Sequence, residues 1–342
     1  PLGNTWSVSL TPKYLSSGNA PDTPFAGRYY RFLNGKPQSN DLEDSLLVWQ
    51  PDVEFEREGS VNIVAHLGTS PVGGAVDPTP TLALRLSTAR WYADLHRSTV
   101  KDSILSYTGL EDPYSAGKWG RVTRNGISAG TTWNLFEDYW ISTALGYNFY
   151  SGKQLWNNDS YHFDAAFGRN FDHAGDELTV GLFFSGQHYR RNSDFYTFGH
   201  GGYYSPELLT IVGPFLRYRS ALCRTYWFDV QGSAGWLHQK LDDSPVYPLF
   251  DGDTTGFTPA GANDALSDYS GDTDNKLGLS AKIQGMKLIG DQFAAGGFAG
   301  INNHSDSTRW QVGVALQFFL ESQNAFWERR DFFKEFGDNS NK

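Results

Sequence analysis

Residues 139–150 read YWISTALGYNFY, and the alternation in that stretch decides the fold. Odd positions carry Tyr139, Ile141, Thr143, Leu145, Tyr147 and Phe149; even positions carry Trp140, Ser142, Ala144, Gly146, Asn148 and Tyr150. Successive side chains of a β-strand point to opposite faces, so a period of two sets an apolar face against a smaller, more polar one. The same pattern returns at 178–189, where Leu178, Val180, Leu182 and Phe184 alternate with Thr179, Gly181, Phe183, Ser185, Gln187 and Tyr189. It returns again near the end, where Trp310, Val312, Val314, Leu316 and Phe318 alternate with Gln311, Gly313, Ala315, Gln317 and Phe319. Each segment is about ten residues long, the length a tilted strand needs to cross a bilayer.

Working outward, the connections alternate in length. Short turns fall at 58–59, 87–90, 136–138, 172–176, 220–224 and 290–292, and longer links at about 18–43, 69–79, 99–120, 151–159, 192–206, 240–275 and 302–308. Short turns on one side and long loops on the other describe an antiparallel up-and-down barrel of the bacterial outer-membrane type, with periplasmic turns and extracellular loops. The spacing gives fourteen strands, from 5–16 and 45–57 to 309–320, and leaves both ends on the short-turn side.

Alternation alone does not say which face meets water, so a soluble β-sandwich or propeller is the competing reading. Two features favour the membrane barrel. A barrel this wide cannot be filled by side chains, so its interior is wet, and His162, Asp164, Asp229, Gln231, Ser280, Lys282 and Gln284 supply a polar lining. The opposite faces end in aromatics, Tyr139 at one end and Tyr147 with Phe149 at the other, as interfacial girdles do.

Composition agrees. Aromatics are 15% of the 342 residues, with 37 glycines and a single Met, a profile suited to pleated surfaces rather than helices. No apolar run of about 18 residues exists, which excludes a helical membrane protein. The net charge of −10 argues against a nucleic-acid partner. The lone Cys223 matches neither a disulfide framework nor a metal spacing. Residues 1–11 are already strand-like and contain no signal peptide, the expectation for a mature exported segment. Residues 1–320 are read as the barrel and 321–342 as a tail, in which 322–336 (SQNAFWERRDFFKEF) carries an apolar stripe of Phe326, Phe333 and Phe336 with Trp327 beside it. A helix there serves either as packing under the rim or as a plug in the lumen.

Motifs for chemistry are few, and no cofactor is expected. Gly126-Ile-Ser128-Ala-Gly130 matches G-x-S-x-G but lies inside an alternating strand, not on the strand-to-helix turn that a serine nucleophile needs. His304 lacks an orienting partner. The loop 240–275 holds eight aspartates, whose carboxylates suit Ca²⁺ only weakly because the spacing is not that of an EF-hand; a solvated acidic loop is the plainer reading, and no metal is expected. The chain is therefore not expected to be an enzyme.

Two loops are denser. Residues 101–122, KDSILSYTGLEDPYSAGKWGRV, and 198–207, FGHGGYYSPE, combine glycine, proline, aromatics and charge. Such loops are ordered by stacking and hydrogen bonds, and the same residue types describe a sugar path. Asp102, Tyr107, Glu111, Asp112, Tyr114, Trp119, His200, Tyr203 and Tyr204 are candidates for that path. Gly199, Gly201, Gly202, Pro206, Arg190 and Arg191 are candidates for its scaffold. Bracing of the mouth is the alternative, and the two roles are compatible.

Asp102-Ser103-Ile104-Leu105-Ser106-Tyr107-x-Gly109, with Asp112-Pro113-Tyr114 and Trp119-Gly120, resembles one signature block of the C-terminal domain of cellulose synthase operon protein C. Gly199-His200-Gly201-Gly202-Tyr203-Tyr204-Ser205-Pro206 is similar to another. The resemblance covers essentially the whole chain. It implies a sixteen-stranded outer-membrane barrel, preceded in the full protein by a signal peptide and a periplasmic array of tetratricopeptide repeats. It also implies passage of a cellulose chain, a β-glucan, delivered by an inner-membrane synthase complex. The pair of strands beyond fourteen falls before Pro1 or in 28–33 (RYYRFL). A neutral polymer needs weak, repeated contacts rather than a single-sign ring of charge, and the inward charges are mixed: Glu54, Glu56, Asp164 and Asp229 against Lys282. A general diffusion porin or autotransporter-type barrel is the alternative, and a barrel lipase or protease a third reading.

Overall fold

The computed structural model describes residues 4–16, 25–33, 42, 45–303, 308–319 and 321–327. It contains strands β1 (Asn4–Ser16), β2 (Ser45–Arg57), β3 (Asn62–Thr69), β4 (Pro80–Ser87), β5 (Trp91–Thr99), β6 (Leu110–Glu111), β7 (Lys118–Asn134), β8 (Tyr139–Lys153) and β9 (Asn158–His173). The series continues with β10 (Asp176–Tyr189), β11 (Leu208–Arg219), β12 (Tyr226–Leu241), β13 (Ser244–Pro245), β14 (Asp268–Tyr269), β15 (Asp272–Leu288), β16 (Phe293–Asn302) and β17 (Arg309–Phe318). Two short helices, α1 (Ile104–Thr108) and α2 (Pro259–Ala265), lie in the loops.

Apart from the two-residue strands, each strand pairs antiparallel with its neighbours in chain order, β1-β2-β3-β4-β5-β7-β8-β9-β10-β11-β12-β15-β16-β17. That is an up-and-down meander of fourteen long strands among the described residues, the number read from the alternation. Every inter-strand register aligns like faces. Trp140 of β8 stands opposite Gly168 of β9, which faces Gly181 of β10, which faces Phe215 of β11. A slip of one residue anywhere would invert the faces of a whole strand.

Those faces establish the environment. Leu145, Leu182, Leu216, Leu277 and Ile283 are exposed, and Val314 is 83% exposed. Apolar residues repeated at every second position around a meander of this length form a belt that only lipid can cover. Rings border it: Tyr139 stacks on Phe167, Tyr147 meets Tyr161 at a 50° tilt, and the Arg169 guanidinium lies 5.0 Å from the Tyr139 ring centre. The chain is a transmembrane β-barrel of the outer-membrane type. No helix among the described residues is long and apolar enough to cross a membrane, and the strands do the crossing.

Three expectations need correction. Residues 28–33 do not supply a strand hairpin: Tyr29–Phe32 is a 3-10 helix, because its rings pack against Tyr247, Phe250 and Phe257 instead of facing lipid. The link expected at 151–159 is shorter, since β8 runs to Lys153 and β9 begins at Asn158. The described part of the tail, 321–327, is not helical. Its backbone bonds outward rather than to itself: Gln323 N donates to Asp291 O at 2.5 Å and Phe326 N to Arg224 O at 2.9 Å. Phe333 and Phe336 lie outside the described residues, as do His304 and residues 1–3.

Candidate functional site

Two regions carry the site: the cluster of outer loops at the long-loop end and the lumen wall below it. The loop cluster has its own hydrophobic core. Ala26, Ile104, Leu105, Leu110, Trp119, Phe198, Val246, Tyr247 and Ala265 are buried together, drawn from the links that follow β1, β5, β10 and β12 and, for Trp119, from the start of β7. Four outer loops therefore share one packed unit across the mouth.

Local chemistry shapes each loop before they meet. Ser103 caps α1: its Oγ accepts from Ser106 N at 3.0 Å, while Ser106 Oγ accepts from Ser103 N at 2.9 Å, a reciprocal cap that satisfies two otherwise orphaned donors. Gly109 ends the helix at φ 76°, in the positive-φ region where a side chain would be strained. Asp112 is buried and accepts from Arg28 N at 2.9 Å and Ser115 Oγ at 2.5 Å. It ties the first outer loop to the third.

The candidate path residues are brought together here, but burial occupies most of their ring faces. Trp119 is 0% exposed in the shared core. Tyr107 is buried and donates to Gln50 Oε1 at 2.6 Å. Tyr203 stacks on Tyr150 at 5.2 Å between ring centres and accepts from Asn158 Nδ2 at 3.1 Å. His200 is 0% exposed and its Nε2–H donates to Pro245 O at 2.8 Å; burial without a compensating charge pushes its pKa down to about 4. Tyr114 is also buried. In this arrangement these rings are buried among the loops and the strand ends on which the loops rest. Trp119 packs in the shared core with Ala26, Val246 and Tyr247, whereas Tyr203 is buried against Val122, Tyr150 and Tyr189 at the strand ends.

The remaining candidates lie at the edges. Asp102 is exposed and accepts from Tyr204 N at 3.1 Å; Tyr204 in turn donates to Gln239 Oε1 at 2.5 Å. Glu111 is exposed and faces Lys118 at 3.8 Å. Arg190 pairs with Asp159 at 2.8 Å, and Arg191 donates to Asn157 O at 2.6 Å while lying 4.0 Å over the Trp156 ring. Gly199 (φ 102°) and Gly202 (φ 61°) take left-handed backbone. Gly201 leaves the space into which the Tyr203 ring folds. Pro206 O accepts from Tyr189 N at 3.1 Å, seating the loop on β10. In the tail, Phe326 is buried among Trp227, Met286, Leu288 and Ala294, whereas Trp327 is exposed.

Sequence reasoning missed Arg121. Buried and at φ 52° beside an irregularity of β7, its Nε donates to Val76 O at 2.8 Å and its Nη1 to Ser70 Oγ at 2.7 Å and Pro71 O at 2.9 Å. It clamps the link between β3 and β4. No local pattern marks an arginine whose partners are some fifty positions away.

The lumen wall is polar, and several of its charges are paired. Arg85 Nε lies 2.7 Å from Asp94, Arg217 meets Asp229, and Arg219 Nη1 lies 3.4 Å from Glu177. Ser185 donates to Asp164 at 2.6 Å. Ser128 sits on this wall, donating to Asp94 Oδ2 at 3.3 Å from the middle of β7, so the G-x-S-x-G stretch forms no nucleophile turn. The aspartates of the 242–271 link cap turns: Asp251 accepts from Asp253 N, Asp253 from Thr255 N and Asp243 from Gly271 N.

With this geometry in place, comparison with known proteins is direct. The family model for the cellulose synthase operon protein C C-terminus matches residues 2–321. The chain is 27% identical over 331 residues to the cellulose synthase operon protein C of Pseudomonas fluorescens (strain SBW25), covering 94% of this chain and 24% of that protein. It is 27% identical over 329 residues to the protein of the same name from Komagataeibacter xylinus, covering 86% and 24%. The chain thus spans about a quarter of the length of these relatives. A solved bacterial polysaccharide outer membrane secretin covers 95% of the chain, and 98% of that structure is covered, at 10% identity and a TM-score of 0.48. Matched along residues 2–321 by that model, this outer-membrane barrel belongs to the family of the C-terminal region of cellulose synthase operon protein C.

Proposed function

We propose that the barrel is the outer-membrane exit pore for a secreted polysaccharide, and that the polymer is cellulose, a β-glucan. The observation that carries this is the mixed-sign polar character of the lumen wall, on which several arginines and carboxylates are paired, as in Arg85–Asp94 and Arg217–Asp229. A wall of satisfied charges, serines, asparagines and glutamines gives an uncharged polymer replaceable hydrogen bonds without a deep trap. An anionic polymer would call for unpaired cations along the same faces.

In this reading the outer-loop cluster braces and closes the mouth. When it parts, Tyr107, Trp119, His200 and Tyr203 would line the exit, with Asp102, Glu111 and Asp112 near glucose hydroxyls. Residues 1–320 act as the pore, set in outer-membrane lipid, and the tail packs at the opposite rim. The polymer arrives from an inner-membrane cellulose synthase complex through a periplasmic repeat region outside this chain.

Conductance of the intact protein in planar bilayers, with and without cello-oligosaccharides, tests the proposal. Polymer-specific interruption of current by neutral glucans supports it. Equal passage of neutral and anionic oligosaccharides without interruption identifies a general diffusion pore instead.

A further inference from the structure

Two of the charges on lipid-facing rows near the long-loop end are answered by opposite ones. Asp159 of β9 meets Arg190 at 2.8 Å, and Lys240 of β12 meets Glu207. Arg97 of β5 is different. Its row runs from Leu82 of β4 through Arg97 to Asn125 of β7 and Phe149 of β8. The next row toward the short turns holds Leu84, Leu95, Ile127 and Tyr147. Leu82, Leu95 and Ile127 are exposed, so Arg97 stands on the face that lipid covers. It lies one step beyond the ring border formed by Tyr147 and Tyr161.

Neutral groups hold its guanidinium in place. Arg97 Nε donates to Pro80 O at 3.1 Å, and Nη1 donates to Asn125 Oδ1 at 2.8 Å. No carboxylate among the described residues pairs with it, and its Nη2 donates to none of them. A whole positive charge and a further pair of N–H donors are therefore on offer. Asn125 has its oxygen taken by Arg97, and its Nδ2 donors are unengaged among the described residues. Lys153 is exposed and continues the outward alternation of β8 beyond Phe149, about 14 Å further along the strand. It too forms no ion pair among the described residues. A cation near the membrane interface costs little on the lipid face, and one already fixed in a single geometry spares a ligand the ordering cost of binding.

We propose that Arg97, with Asn125 beside it and Lys153 above, binds the phosphate of a phosphorylated glycolipid headgroup in the leaflet on the long-loop side. A guanidinium fork matches phosphate oxygens, and a pre-placed one gives orientation as well as charge. The surrounding rows fit the rest of such a lipid. Leu84 and Leu95 lie on the side where acyl chains run, and Lys153 lies toward the polar headgroups. Strand β5 leads directly into the loop that carries α1, so the lipid is held at the foot of the loop cluster. The site is on the outside of the wall and is independent of what passes through the pore.

The test is native mass spectrometry of the intact protein in detergent micelles, titrated with bisphosphorylated lipid A. Arg97→Gln should weaken binding roughly five- to tenfold, and Lys153→Gln roughly two- to fivefold. Arg97→Lys, which keeps the charge but not the fork, should fall between wild type and Arg97→Gln. Arg57→Gln removes a lipid-facing cation at the short-turn end and should change nothing. Heat-modifiable migration on gels verifies that each barrel is folded. Lipid A stripped of both phosphates should bind the wild type weakly. Wild-type affinity in folded Arg97→Gln overturns the site and leaves an arginine that only reaches for the interface. Equal binding of the phosphate-free lipid overturns it as well, and inorganic phosphate bound as tightly as lipid A overturns the lipid as its ligand.

Discussion

Asn158 and Tyr203 join the barrel wall to the second outer loop: the Asn158 amide donates to the Tyr203 hydroxyl at 3.1 Å and to Arg191 O at 2.8 Å. Asn158 is the first residue of β9 and is fully buried, so one side chain fixes both ends of the loop 190–207 to a rigid strand. Its position exploits a strict rule: a buried polar group that loses its partner keeps the desolvation cost.

Removal of the two partners is therefore expected to be unequal. Tyr203→Phe removes the hydroxyl that Asn158 donates to, leaves the Asn158 amide its bond to Arg191 O, and should loosen the loop by about 1 kcal/mol. Asn158→Ala strands both a hydroxyl and a carbonyl and should cost about 2–4 kcal/mol on the same reasoning. Hydrogen exchange of the amides in 190–206 measures this directly. Equal protection in the two variants would mean that Asn158 is not the anchor.

Trp119 tests whether the loop cluster is a unit separable from the barrel. Its truncation to Ala removes the largest fully buried side chain in the shared core, and such changes cost about 3–5 kcal/mol. The loss should fall on the loops, because the wall is held by its own ladder of strand pairs. Trp119→Ala should insert normally and remain heat-modifiable, yet be cleaved by external protease within 242–271 far faster than the wild type. Failure of the variant to insert would show that loop packing and barrel assembly are one process.

What was legible in the sequence follows the range of the interactions that decide it. Alternation is a property of consecutive residues, so β2 at Ser45–Arg57 and β8 from Tyr139 stand where the pattern puts them. The aromatic run at 28–33 has the composition of a strand without its alternation, and its partners Tyr247 and Phe257 hold it as a 3-10 turn under the loop cluster. The same limit governs the site. Glycine, rings and charge in 101–122 and 198–207 signal ordered loops, but whether a ring faces sugar or protein depends on segments such as Phe25, whose carbonyl accepts from Tyr247, 222 positions further along the chain. The tail shows the converse failure: a helical stripe is present around Phe326, but competing partners at Arg224 and Asp291 take its backbone donors.

The His200 imidazole makes the loop cluster sensitive to acid. Its folded pKa is about 4, against about 6.5 when exposed. Above pH 6.5 both states are neutral and the contribution is fully present. As the pH falls from 6.5 towards 4 the unfolded loop takes up a proton that the buried ring refuses, so stability declines, by about 3 kcal/mol in total. Protease susceptibility of 190–207 should rise across that window and level off below it. His200→Gln, which retains a donor for Pro245 O, should flatten the response. A variant with the same acid profile would assign the sensitivity to other groups.

The last prediction concerns the opposite end of the barrel. Phe326 closes a small apolar cluster at the short-turn side, meeting Trp227 edge to face at 6.5 Å, while its backbone bonds to both Cys223 and Arg224 in the turn between β11 and β12. Trp227, Met286 and Ala294 all lie on inward faces, so the described part of the tail at Phe326 packs on the inward side of the wall. Phe326→Ala removes the ring but not the two backbone bonds, and should cost about 3–5 kcal/mol of local docking. Residues after 321 should then become protease-sensitive in cells whose outer membrane has been permeabilised, and stay protected in intact cells, because the short turns face the periplasm. Cleavage in intact cells would reverse the orientation. Protection in both would place the tail's anchorage outside the Phe326 cluster.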